Sequence, residues 1–508
     1  MRRQRPFWVM HPTEADRNTC QCKTHENLQY MAESLYNQGL LQTKNLDEMA
    51  DAIVCDTKSK ICAYSECPEC RVTTFQMIKS PSNESISVTQ WVLEKIGDAS
   101  HDKMTVSVKK EMVTTEDALV TQFQERLAHY RRHLFNIRWQ YGTYRQVREN
   151  LQETDALIHV DFSENYNCKY SQEIQSVHFG GSHQQATLHT GVLYIKAEQP
   201  IIPFCSISPS RQHDPPAIWA HLSPILTQLR ERCPGVTRLH FFSDGPATQY
   251  KQKANFYMLS TEPFKMGFKE TSWHFFEASH GKGAPDGIGG SLKRTADSLV
   301  HHGTDIPDAE SLFLQLKQKT SSVELFFVSP EDVEKMGQRI VNGPPLVTIK
   351  GTMRMHQVIS VVQESIKYRD ISCVCKMMDG VLDCPCYGLQ EFTFARSESQ
   401  QEDYTIERSA PALLRPEVIS KVHIGQWCIV NYDADPYPGI ILEVEAHNIK
   451  VKCMHRNGVN KFFWPSPRED VSWYGDDQIV CFIPEPVALN KRSVQIDKKI
   501  WHYLEKHL

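Results

Sequence analysis

The chain has 508 residues, 40% of them hydrophobic and 23% charged, with a formal net charge of −5. This is the composition of a folded protein of roughly three or four domains, and it excludes a collagen-like or low-complexity design. It also excludes a globally basic nucleic-acid binder, so any such contact has to come from local patches.

The first stretch, MRRQRPFWVMHPTEAD, is basic but has no apolar core of the secretory type, and no apolar run reaches the ~18–20 residues that span a bilayer. A nuclear or cytoplasmic protein without a membrane anchor is expected. In such a compartment the 16 cysteines are thiols or metal ligands rather than disulfides.

Residues 1–75 form a Cys-rich head with Cys20, Cys22, His25, Cys55, Cys62, Cys67 and Cys70. Cys67-Pro-Glu-Cys70 is a CxxC knuckle, and zinc takes four N or S ligands that are commonly supplied as close pairs. The seven candidates fill one zinc site with spares, or two sites sharing a ligand; ordinary buried thiols are the competing reading.

KSPSNESIS (79–87) reads as a linker. The segment 84–150 is expected to be helical and Arg-rich, with the periodic part running from about Thr115 to Asn150. Leu119, Phe123, Leu127, Leu134 and Ile137 recur at helical spacing. From Arg126 to Arg148 there are six arginines and no acid, interleaved with aromatics. Arg131, Arg132, Arg138 and Arg145 are candidate phosphate contacts, against a reading in which they are simply solvated.

Residues 151–305 carry strands at 156–166, 186–197 and 200–208, a helix at 215–233, a strand at 236–246, a short helix near 249–258, a strand at 271–279 and a helix from Ser291. This order implies a mixed α/β sheet. Two strands end in carboxylates, Asp161 in HVDFSEN and Asp244 in FFSDGP, 83 residues apart. Two-metal phosphoryl transfer needs two or three carboxylates on one point, holding divalent ions about 3.5–4 Å apart. The third candidate is Asp286, in the Gly-rich stretch HGKGAPDGIGG beside Lys282, Lys293 and Arg294; Glu277 is the second choice.

On HVDFSENY, SDGPATQYK and SHGKGAPDGIGG, this region resembles the ribonuclease-H-like core of DDE/D transposases and retroviral integrases. The wording is most similar to uncharacterised animal proteins that derive from mobile elements. The resemblance implies that Asp161, Asp244 and Asp286 hold Mg²⁺ or Mn²⁺, that Lys282, Lys293 and Arg294 face nucleic acid, and that DNA is the partner. It also implies a zinc head before the core and an SH3-like barrel after it. The Cys-rich head, the third acid being Asp and the absence of basic charge depart from the integrase pattern. A transposase- or integrase-like DNA-processing protein is one reading; a catalytically inactive, domesticated DNA- or chromatin-binding protein is the other.

Residues 306–393 are expected to be an α/β extension ending in CVCKMMDGVLDCPC, where Cys373, Cys375, Cys384 and Cys386 form a weaker zinc candidate or a Cys-rich hairpin. Residues 394–420 read as a linker, and 421–487 as a small β-barrel resembling SH3 and Tudor barrels, followed by a tail at 488–508. Trp427, Tyr432, Tyr437, Trp464 and Tyr474 either cage a methylated peptide or pack the barrel core. The expected whole is an α/β multidomain protein; its oligomeric state is left open.

Overall fold

The computed structural model describes residues 22–96, 104–174, 183–278, 281, 283–347, 349, 351–374, 388–394, 419–432, 435–445, 448–458, 460–465, 469–490, 493–497, 500–501 and 504. The chain divides into two compact units, Met1–Arg396 and Ser397–Leu508.

The first unit opens with three helices, α1 (Lys23–Asn37), α2 (Leu46–Ala52) and α3 (Lys60–Ala63). Leu28, Met31, Ala32 and Leu35 put one apolar stripe on α1, and all four are buried. A β-hairpin follows, β1 (Ser85–Ile96) against β2 (Met104–Thr115), and then the 34-residue helix α4 (Glu116–Glu149). The Thr115 side chain accepts from the Ala118 N–H, and Glu116 and Asp117 sit in the first turn, where the helix dipole favours acids. The segment 84–150 is therefore helical only in its second part. Its first part is strand because Ile86, Val88 and Gln90 are buried at a period of two.

Helix α4 has no single apolar face because its two halves pack on different partners. Leu119, Phe123, Leu127, Tyr130 and Leu134 join α1, α2 and the hairpin in one core. Tyr141, Tyr144 and Val147 join Leu157, Val192 and Phe242 of the central sheet in another.

The central sheet is built from β3 (Asp155–Asn167), β4 (Gln185–Ile195), β5 (Ile201–Ser208), helix α5 (Pro215–Arg232), β6 (Arg238–Ser243), helix α6 (Lys253–Leu259), β7 (Glu270–Phe275) and helix α7 (Ala284–His301). Helix α8 (Ala309–Lys319), β8 (Glu324–Phe327), helix α9 (Pro330–Val341), β9 (Gln357–Ser360), β10 (Ser365–Arg369) and β11 (Gln390–Thr393) follow. The strand order is β11-β10-β9-β7-β6-β3-β4-β5-β8. β3, β4 and β5 are antiparallel neighbours, while β6 and β7 run parallel to β3. Residues 306–393, expected as an α/β extension, lengthen this sheet at both edges, with β8 parallel to β5 and β9 antiparallel to β7.

Alternation sends Ile158 and Val160 to a core with Trp219 of α5 and Met336 of α9. Leu157 faces the core containing Val147 of α4, while Leu188 and Cys205 meet Leu292 and Leu312 of α7 and α8. The sheet is thus covered on both faces, which holds its strand ends fixed for a site.

The second unit contains β12 (Trp427–Tyr432), β13 (Asp435–Glu445), β14 (Asn448–Cys453), β15 (His455–Arg456), β16 (Phe462–Phe463), β17 (Asp470–Gly475), β18 (Ile479–Phe482), β19 (Val487–Asn490) and β20 (Ser493–Gln495). They form a five-stranded sheet, β17-β14-β13-β12-β18, and a four-stranded one, β15-β16-β20-β19. The expected end at residue 487 is too early. β20 pairs with β16, and Ile496, Trp501 and Leu504 are buried with Phe462, so part of 488–508 belongs to the folded unit. The expected linker at 394–420 lies almost wholly outside the described residues.

Candidate functional site

Parallel pairing of β3 with β6 sets His159 opposite Phe242. Two residues past that pair, Asp161 lies inside β3 and not at the end of a strand as expected, because β3 runs on to Asn167 beside β4, while Asp244 lies just past the end of β6. Asp286 sits in the first turn of α7, exposed, its Oδ2 accepting from the Gly283 N–H at 2.8 Å. The glycines explain how that helix start docks. A Cβ on Gly281 would lie 2.4 Å from the Asp244 Cβ, one on Gly283 2.8 Å from the His159 ring, and one on Gly289 2.4 Å from the Ser163 Oγ. Only residues without side chains let this backbone lie against the middle of β3 and the residue that follows β6.

Asp161 and Asp244 both feel neighbouring acids. Burial, then the neighbouring Asp286 and Asp244 carboxylates, push Asp161 up to about 7. Asp244 is raised by burial and by Asp286, against the Gly245 N–H and Lys251. Lys251 is buried, and burial pulls it down to about 8 although Glu277, Asp244 and Asp370 oppose the shift. Its Nζ donates to the Met353 carbonyl at 3.3 Å. Neighbouring, partly buried carboxylates are the kind of site where a cation relieves the repulsion.

Glu277 does not join the trio. Its Oε1 is 2.9 Å from His133 Nδ1; its Oε2 is 2.8 Å from His356 Nε2 and 3.0 Å from Asn136 Nδ2. Burial alone would raise its pKa, but these two histidines outweigh it and hold the carboxyl well below the usual range. As second choice for the third acid it is therefore corrected: its oxygens are already occupied. No local spacing in the sequence marks His133 or His356, which lie 144 and 79 residues from it.

The arginines of α4 are corrected too. Arg131 is buried and donates to the Ile53 and Cys70 carbonyls and to Ser65 Oγ. Arg138 pairs with Asp51 at 2.7 Å and Asp47 at 3.2 Å, and Arg132 lies over the Tyr64 ring at 4.2 Å. These three are turned to the fold rather than offered to a phosphate. Arg145 is exposed, as is Arg294 on α7. Lys293 donates to the Glu164 carbonyl at 3.1 Å, and Lys282 lies outside the described residues.

Four thiols of the head converge. Cys55 Sγ lies 3.4 Å from Cys62, 3.6 Å from Cys67 and 3.6 Å from Cys70. Sulfurs bound to one zinc at about 2.3 Å stand roughly 3.8 Å apart, so this cluster can hold a structural metal such as zinc. Backbone N–H groups of Cys70 and Glu69 pull Cys67 down to about 7, the direction a ligand thiolate needs. Among the described residues this is the only group of three or more metal-capable side chains with all ligand atoms within 4.8 Å of one another. Asp161, Asp244 and Asp286 do not form such a group.

Cys22 and His25 stand apart from the four thiols. Cys22 caps α1, and the His25 ring meets Tyr130 edge-on at 4.9 Å. Cys20, Cys375, Cys384 and Cys386 lie outside the described residues; Cys373 is buried, its N–H donating to Gln357.

In the second unit, Tyr474 is buried in the core and Tyr432 is exposed. Trp427 and Trp464 stand 5.7 Å apart and pack on the second core cluster, with Lys452 over Trp464 at 5.0 Å.

A family model described as a domain of unknown function (DUF8701) matches residues 140–372, a span that holds the three acids, Lys251, Glu277 and His356. No curated protein and no solved structure matches the chain. Among the described residues, no helix is long and apolar enough to cross a membrane.

Proposed function

We propose that the first unit is a ribonuclease-H-like, DDE/D-type phosphoryl transferase acting on DNA, related to transposases and integrases. The observation that supports this most is the placement of Asp161 inside β3 and Asp244 just past the end of the neighbouring parallel strand β6, with a third acid on a helix start whose glycines pack against both segments. In that family the first acid lies on the first core strand, the second ends the fourth, and the third opens a helix. Asp161 on β3, Asp244 after β6 and Asp286 on α7 follow that order.

The donor set fits hard divalent cations: three carboxylates, two of which, Asp161 and Asp244, have pKa values raised by burial and by neighbouring acids. Asp161, Asp244 and Asp286 would hold Mg²⁺ or Mn²⁺, which supplies Lewis-acid polarisation of a phosphoryl oxygen and a more acidic water. The chain's own contribution is positional. The sheet, covered on both faces, fixes Asp161 and Asp244. Gly281, Gly283 and Gly289 let the start of α7 dock beside those two acids. Arg294 and Arg145 offer exposed positive charge for the phosphodiester backbone, while buried Lys251 offsets the charge of Asp244.

The test is divalent-cation-dependent nicking of labelled DNA. Metal-borne charge stabilisation is worth several kcal/mol and each ~1.4 kcal/mol is tenfold, so Asp244→Asn should lose at least about 100-fold. Equal nicking by the wild type and Asp244→Asn contradicts the proposal. The hydrogen bond from Gly283 to Asp286 supports a second reading, a domesticated, catalytically inactive DNA- or chromatin-binding protein in which this acid is only a helix cap. Salt-dependent DNA binding without any nicking in Mg²⁺ or Mn²⁺ favours it.

A further inference from the structure

We propose that Cys22, His25 and His133 form a second metal site, taking a borderline divalent cation such as zinc, separate from the four-thiol cluster. Cys22 Sγ and His133 Nε2 are 3.7 Å apart although 111 residues separate them. Two ligands of a tetrahedral zinc, at about 2.3 Å for sulfur and about 2.0–2.1 Å for nitrogen, stand roughly 3.6 Å apart. The His25 backbone N–H points at the same sulfur at 3.4 Å, an arrangement that favours thiolate. One turn into α1, the His25 Nδ1 is buried with no hydrogen-bond partner. A buried imidazole nitrogen without a partner is costly unless something occupies it.

The other side of His133 completes the argument. Its Nδ1 is bonded to Glu277 at 2.9 Å, which leaves Nε2 as the ligand atom facing Cys22. A carboxylate behind a ligating histidine orients the ring and strengthens its donor nitrogen. Glu277 is itself held by His356 and Asn136. The trio is more open than the four thiols, since its ligand atoms do not all fall within 4.8 Å of one another. Binding therefore has to draw the His25 ring inward, and it leaves a fourth position for water or a further side chain. An ion here would join the start of α1 to α4 and, through Glu277, to the segment that follows β7.

The full-length chain, purified without chelator, is assayed for zinc and then reloaded with Co²⁺. The expected result is two thiolate-bound ions per chain, counted by sulfur-to-cobalt absorption, which leaves out any ion on the carboxylates. Cys22→Ser and His133→Asn should each retain one, with the sulfur-to-cobalt absorption of the four-thiol site intact, while His133→Cys should keep two. One ion per wild-type chain, or two that survive both substitutions, overturns the proposal. Should His133→Asn fail to fold, His133→Cys decides, because anything below two ions rejects the site.

Discussion

Asp161 shows how a single side chain reports on its surroundings. Its folded pKa stands near 7 against an ordinary value of 3.8. The folded state therefore binds more protons than the unfolded one between those values, and stability falls as pH rises through that window. Above it the ionised carboxylate is a standing cost. Asp161→Asn should accordingly raise the melting temperature by at least about 2 °C at pH 8, an effect of order 1 kcal/mol, and change little at pH 4. Saturating Mn²⁺ should stabilise the wild type but not the variant, by calorimetry. Arg131 offers the opposite case. Arg131→Ala leaves buried carbonyls unsatisfied and should cost about 1–3 kcal/mol in urea unfolding, whereas exposed Arg145→Ala should cost less than about 0.5. Asp161 and Asp244 were legible in the sequence because each follows a run of apolar strand residues. The roles of Arg131 and Arg138 were not, because their partners come from the head, 61 to 91 residues away.

At the scale of elements, most strands and helices between 155 and 301 were readable, since alternation, apolar runs and turn residues agree there, but α7 begins at Ala284 and not at Ser291, because its glycines read as loop. Helix α4 was readable as a helix but not as a central strut, because a helix buried on successive faces by different cores has no stripe to read. The hairpin at 85–115 was missed because its alternation is confined to Ile86, Val88 and Gln90, beside a polar stretch read as linker. The Gly-rich turn before α7 carries its own prediction. Gly281→Ala forces a methyl group toward the Asp244 Cβ and should destabilise the fold by about 1–3 kcal/mol. It should also weaken Mn²⁺ binding; an unaltered melting temperature and Mn²⁺ affinity would show that this approach is not tight. In the head, Cys62→Ser should leave residues 53–75 open to protease while α4 stays protected, read by limited proteolysis and mass spectrometry.

Across the whole molecule, buried histidines set the response to acid. Burial pulls His159 and His240 down to about 4 and His221 to about 3, and holds His189 and His274 well below the ordinary 6.5. Each is neutral when folded and protonated when unfolded between its folded value and about 6.5, so stability is lost as pH falls through that window. Asp161, Asp244 and Glu270 act the other way, but they are fewer. Unfolding followed by near-ultraviolet circular dichroism should therefore begin below about pH 6 and be steep toward pH 4. A fold that keeps its full signal at pH 4 would show these rings to be wetter than the structure has them. The layout of a Cys-rich head, an α/β core and a small β unit was visible in composition and period. The joining of head and core through α4 was not, since long-range packing leaves no mark on local spacing.

The most direct measurement is anomalous diffraction from crystals of the full chain soaked in about 10 mM Mn²⁺. Metal peaks within coordination distance of Asp161 and Asp244, with Asp286 turned toward them, are the predicted result. Ordered carboxylates with no metal density between them, in crystals that admit Mn²⁺ elsewhere, would contradict it.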